Sequence, residues 1–67
     1  SSLYISSKGL LQADGCKGIA LYNENYIELN MGHCTARISG DNLTLLTLSP
    51  GTLSIEGRLF TIEFFYT

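Results

Sequence analysis

The 67-residue sequence has little positive charge, one proline and no tryptophan. Its 4 Lys and Arg residues stand against 6 Asp and Glu residues, which gives a formal net charge of −2. Nucleic-acid binders need a basic surface, so this composition argues against nucleic acid as a partner. The sequence also lacks any apolar run near the roughly 18 residues of a membrane-spanning helix. We therefore expect no direct membrane span, and no signal peptide is recognisable.

Residues with metal-binding or nucleophilic chemistry are equally scarce, being limited to Cys16, Cys34 and the single histidine, His33. A zinc site needs three or four ligands, so we expect no metal site. On a strand, His33 and Cys34 would point to opposite faces and could not act as a base and nucleophile pair. The glycines do not have the spacing of phosphate-binding loops. We expect no catalytic residues and no cofactor, and whether the two cysteines are bridged stays open.

Helical periodicity is nearly absent, and apolar and polar residues alternate instead, which predicts strands with one buried face. Glycines at turns or bulges interrupt the alternation, at Gly9, Gly18, Gly32, Gly40, Gly51 and Gly57. We predict one all-β domain over residues 1–67. It would contain six to eight short, mostly antiparallel strands in a meander that forms a roll or sandwich.

A weak internal repeat aligns residues 36–45 with residues 53–62. Both copies follow the pattern apolar-x-Ile-x-Gly-x-x-apolar-Thr-apolar, which indicates a strand, a glycine turn and a second strand used twice. We interpret the copies as two hairpins of the meander, with a short β-solenoid as the alternative. Residues 43–48, which begin inside the first copy, carry leucines on both faces, which predicts a central strand with either a bulge near Leu45 and Leu46 or two covered faces.

The C-terminal run, residues 59–66, has a single charge and neither glycine nor proline. Phe64 and Phe65 must lie on opposite faces of a strand, so one large aromatic ring lies where water would be expected. Either this is an inner strand covered on both faces, or it pairs with a second copy or a partner. The candidate interaction residues are Phe60, Ile62, Phe64, Phe65 and Tyr66.

Several short segments follow one another along residues 8–66. They are Lys8-Gly9, Lys17-Gly18-Ile19, the stretch from Ile27 to Met31 with Gly32, the pair Ile38 and Gly40, Leu43-Thr44-Leu45, Leu53-Ser54-Ile55-Glu56-Gly57 and Thr61-Ile62-Glu63-Phe64. In this order the chain resembles the YabP/YqfC family of sporulation proteins. The resemblance implies a small, non-enzymatic protein in the mother-cell cytoplasm of an endospore-forming bacterium. It would act near the forespore membrane, beside a membrane-protein partner.

The pattern of residues favours a structural or adaptor module that forms a homo-oligomer through its strand edges and aromatic C-terminal strand. One alternative is an exported subunit of a fibre or coat, extracellular or on the spore surface, in which Cys16 and Cys34 are oxidised. A small carbohydrate- or peptide-binding domain is a third possibility, although no cluster of polar and aromatic residues singles it out.

Overall fold

The computed structural model describes residues 2–66, without the side chain of residue 48, and these residues form six β-strands and no helix. The strands are β1 Ser2–Ile5, β2 Leu10–Asp14, β3 Gly18–Tyr22, β4 Tyr26–Asn30, β5 Cys34–Ser49 and β6 Thr52–Tyr66. They form one open sheet in the order β1-β2-β6-β5-β4-β3, and every neighbouring pair is antiparallel. The predicted all-β domain is confirmed, and antiparallel pairing throughout differs from the stacked coils of a β-solenoid.

The two long strands, β5 and β6, each take part in both halves of the sheet. β2 pairs with residues 52–56 at the start of β6, whereas β4 pairs with residues 35–39 at the start of β5. One half of the sheet therefore contains β1, β2, the start of β6 and the end of β5. The other half contains β3, β4, the start of β5 and the end of β6.

The two halves bury one face each in a shared core. Its fully or almost fully buried residues are Leu11, Ala13, Leu43, Leu53 and Ile55 from the first half and Ile27, Leu29, Met31, Cys34, Ala36 and Ile38 from the second. Within each strand these residues are mostly two positions apart, because successive side chains of a strand point to opposite faces. Burial of this apolar face is the main contribution that holds the halves together.

The long strands bend at two of the glycines that the sequence placed at turns or bulges, and both lie at bulges rather than at turns. Gly40 lies inside β5 and Gly57 inside β6, at shifts of register that mark β-bulges. A Cβ atom on Gly40 would overlap the carbonyl oxygen of Arg58, and one on Gly57 would lie 2.8 Å from the carbonyl oxygen of Asn42. The strands can approach this closely only without side chains at these two positions.

The other predicted turn glycines divide into two groups. Gly9, Gly32 and Gly51 lie between strands and have positive φ angles of 86°, 98° and 79°. Gly18 instead is the first residue of β3. A further register shift between Leu45 and Thr47 is a bulge in β5, which is one of the two alternatives expected for this leucine-rich segment.

The internal repeat corresponds to the two bent strands of one hairpin rather than to two hairpins. The two copies also share a hydrogen bond from the glycine at the bend to a neighbouring turn. The N–H of Gly40 donates to the carbonyl of Asn25 in the β3–β4 turn (2.9 Å), and the N–H of Gly57 donates to the carbonyl of Gly9 in the β1–β2 turn (3.0 Å). The two halves are therefore related by an approximate two-fold arrangement.

Candidate interaction surface

The second half of β6, residues 58–66, is hydrogen-bonded to a neighbouring strand along one side only. Its partner on that side is the start of β5, while β2 accompanies β6 only as far as residue 56. Among the described residues, no Cα atom of β1 lies within 8 Å of a Cα atom of β6. We call residues 58–66 the β6 open edge.

The equivalent part of the other half, the end of β5, is better protected. The backbone N–H of Leu43 donates to the carbonyl of Glu24 (2.9 Å), and that of Leu45 donates to the Tyr22 hydroxyl (3.0 Å). Two backbone donors on that edge are thus satisfied by the β3–β4 hairpin. Within residues 2–66, no corresponding turn or side-chain bond reaches the β6 open edge beyond Gly57. The approximate symmetry is broken at the place where β6 could accept another strand.

Four of the five candidate interaction residues on β6 are exposed. Phe60 is 62% exposed, Tyr66 is 71% exposed, and Phe64 and Phe65 are about half exposed, whereas Ile62 packs against the core. Ile62 lies opposite Ile38, and Phe64 lies opposite Ala36, so both belong to the inner face. Phe64 and Tyr66 lie on the inner face and Phe65 on the outer face, so exposed aromatic rings flank the β6 open edge on both faces of the sheet. Exposed apolar area of this kind is found at contact sites.

Phe60 owes its exposure to a bulge in β6. Ser39 of β5 pairs with Thr61 and Gly40 pairs with Leu59, so Phe60 is the extra residue that has no partner in β5. A bulge changes which face of the sheet the following residues occupy. Residues that precede Phe60 and residues that follow it therefore share a face when an odd number of positions separates them. The alternation in the sequence did not reveal this change.

Phe65 lies on the outer face, and its surroundings include a cation. The guanidinium carbon of Arg37 is 4.9 Å from the centre of the Phe65 ring, and the Nε of Arg37 donates to Oε2 of Glu28 at 3.0 Å. Attraction between a cation and an aromatic face gives one reason for a phenylalanine on this solvent-exposed side of the sheet. Glu28, Arg37 and Glu63 lie side by side across β4, β5 and β6. The outer face beside Phe65 therefore carries a line of charged residues rather than a continuous apolar patch.

We expect Arg37→Met to lower the free energy of unfolding by about 1 kcal/mol, because it removes a partly exposed ion pair and a cation–π contact. Lys17→Met is the control, since Lys17 is exposed and forms no ion pair within residues 2–66, and it should change this free energy by less than about 0.5 kcal/mol. Urea unfolding followed by circular dichroism measures both. Equal effects of the two variants would show that the Glu28–Arg37–Phe65 contacts add nothing to stability.

A shallow cleft lies between β1 and the end of β6, lined by Leu3, Met31, Phe64 and Tyr66 among others. The ring of His33 is 6.1 Å from that of Tyr66, centre to centre, so this corner also is aromatic. The lining offers polar and apolar contacts in similar measure. The cleft extends the β6 open edge towards β1.

The residues considered for chemistry are dispersed. Cys16 and Cys34 are free thiols, with Cys34 buried in the core and the Cys16 thiol donating to the carbonyl of Gly18. Residues 2–66 contain no group of three or more His, Cys, Asp or Glu residues that could hold a metal ion. The same residues include no helix long and apolar enough to cross a membrane.

Comparison with known proteins gave no match to a protein-family model, to a curated protein or to a solved structure. The resemblance to the YabP/YqfC family therefore stays a prediction from the sequence.

Proposed function

We propose that this protein is a non-enzymatic structural module that associates with itself through the β6 open edge. The observation that supports this most directly is a strand edge of residues 58–66 without a neighbouring strand, lined with exposed aromatic side chains. Unpaired strand edges bind other strands through backbone hydrogen bonds, and exposed aromatic rings supply apolar contact area.

The small size of the domain favours association as well. A chain of 67 residues buries only about 60% of the surface that its unfolded form exposes, so its stability from the core alone is small. Covering the exposed rings of Phe60, Phe64 and Tyr66 in an assembly would add apolar burial. The formal charge of −2 is low enough that copies of the chain repel one another only weakly.

The family resemblance supplies a proposed setting for this module. A sporulation protein of the YabP/YqfC type would work in the mother-cell cytoplasm, where its assembly would lie beside a membrane-protein partner near the forespore. An exported coat or fibre subunit is the alternative. Mass measurement with and without reductant separates the two, because the cytoplasmic proposal expects Cys16 and Cys34 to remain thiols.

Phe65→Asp is expected to leave a folded protein and to weaken self-association at least about tenfold, because an aromatic contact is replaced by a charge. The fold should survive because Phe65 is exposed, and an aspartate there would still face Arg37. Size-exclusion chromatography with light scattering, under reducing conditions, measures the oligomer.

Tyr4→Asp is the matched control, since Tyr4 is also an exposed aromatic residue and lies on β1, on the outer face of the other half. It should leave association unchanged. A wild-type protein that is strictly monomeric, or an oligomer that Phe65→Asp does not affect, would refute the proposed function.

A further inference from the structure

We propose that the partner of the β6 open edge is the same edge of a second copy, paired antiparallel so that Arg58 of each copy faces Glu63 of the other. The proposal rests on the proposed function and specifies its geometry. It places a two-fold axis between Phe60 and Thr61, perpendicular to the sheet.

The bulge at Phe60 makes this register possible. In a regular strand, residues 58 and 63 would point to opposite faces, because their numbers differ by an odd number. Here Arg58 lies opposite Asp41, and Glu63 lies opposite Arg37, and the extra residue between them brings both onto the outer face. A symmetric antiparallel pair places residues of one face opposite residues of the same face, so Arg58 can meet Glu63 twice.

The inner face fits the same register. Leu59 and Ile62 both pack against the core, although three positions separate them. In the proposed pair, Leu59 of each copy lies opposite Ile62 of the other. Two apolar pairs would thus accompany the two ion pairs, and together they form a cross-strand pattern that is complementary to itself.

The two charged groups are available for this contact. Arg58 and Glu63 are exposed, and within residues 2–66 neither takes part in an ion pair at 4.0 Å or less. Arg37 lies opposite Glu63 in the sheet but forms its ion pair with Glu28. Asp41 lies opposite Arg58 without forming one. A second copy would therefore not have to break an existing ion pair.

The length of the shared ladder follows from the neighbouring turn. The carbonyl of Gly9 accepts the N–H of Gly57, so the edge is occupied up to that residue. Pairing then runs from residue 58 to residue 63. The aromatic end of the second copy would reach the cleft between residues 5–9 and 57–59, beside the β1–β2 turn. The half-sheets of the two copies would join into one continuous sheet of eight strands.

The test uses charge reversal in the full chain. Arg58→Glu and Glu63→Arg should each weaken the homodimer about tenfold or more, because each places like charges opposite one another at two positions. An equimolar mixture of the two variants should form a heterodimer, in which both contacts are again attractive. The double variant R58E/E63R should dimerise like the wild type. Sedimentation equilibrium gives the affinities, and native mass spectrometry identifies the heterodimer.

Lys17→Glu is the control for a change in net charge, since Lys17 is exposed and lies before β3. It should not affect the dimer. The register is overturned if the wild type associates and Phe65→Asp weakens it, but the mixed variants do not pair preferentially. That result would leave the proposed function standing, whereas a monomeric wild type would overturn both.

Discussion

Ile55→Ala is expected to lower the free energy of unfolding by about 2–5 kcal/mol. Ile55 is completely buried at the start of β6, where it lies between Leu11 of β2 and Leu45 of β5 in the register. Its truncation removes apolar contacts and leaves a cavity between the two halves of the sheet. Because a domain of this size has a total stability of only several kcal/mol, the variant should be largely unfolded at 25 °C.

Ile55→Val keeps the measurement possible, since it should cost only about 0.5–1.5 kcal/mol and leave a folded protein. Ile5→Ala is the matched control, because Ile5 is 58% exposed near the edge of the sheet. Urea unfolding monitored by circular dichroism reports all three. A similar loss for Ile5→Ala and Ile55→Ala would contradict a core that is shared by the two halves.

Gly40→Ala is expected to cost about 1–3 kcal/mol, the usual range for forcing extra atoms into a packed site. The new methyl group would overlap the carbonyl oxygen of Arg58, and backbone atoms cannot move aside as the end of a flexible side chain can. β5 and β6 would have to separate at the bend, which would weaken the hydrogen bonds beside it. The midpoint of thermal or urea unfolding measures this cost.

Gly18→Ala is the matched control for that substitution. No atom lies within 4 Å of where its Cβ would be, and the residue has no positive φ angle. We expect a change of less than about 0.5 kcal/mol. If Gly40→Ala proved as harmless, the close approach of the two strands at the bend would not exist in solution.

The alternation of apolar residues predicted the buried faces of the central strands well. Ile27, Leu29 and Met31 share the core side of the chain, as do Ala36 and Ile38. This agreement has a simple cause, since a period of two directly reports which side of a strand faces the core. The pattern therefore identified the class of fold and much of the core.

Bulges are where the pattern was insufficient. Because Ile19 and Leu21 are two positions apart, simple alternation would place them on one face, but a register shift between them places Leu21 opposite the outward-facing Glu28. Gly40, Asp41 and Asn42 have the composition of a turn, and a bulge uses the same residue types. Composition alone cannot distinguish a chain that reverses from one that bends and continues.

The candidate surface was only partly predictable for a related reason. The aromatic composition of residues 59–66 indicated an interaction strand, but the partners of each ring depend on the register of strands that are distant in sequence. The contact of Phe65 with Arg37 and the placement of Arg58 on the same face as Glu63 both depend on that register. Neither could be read from one segment alone.

The passage of β5 and β6 through both halves of the sheet has a consequence for any attempt to shorten the chain. A C-terminal truncation at any residue from Cys34 to Ile55 removes strand segments from both sides of the core at once. The N-terminal hairpin of β1 and β2 likewise has its next neighbour in β6, about 40 residues further along. The repeated halves are thus not separable modules, and the smallest fragment that retains the architecture is nearly the whole sequence.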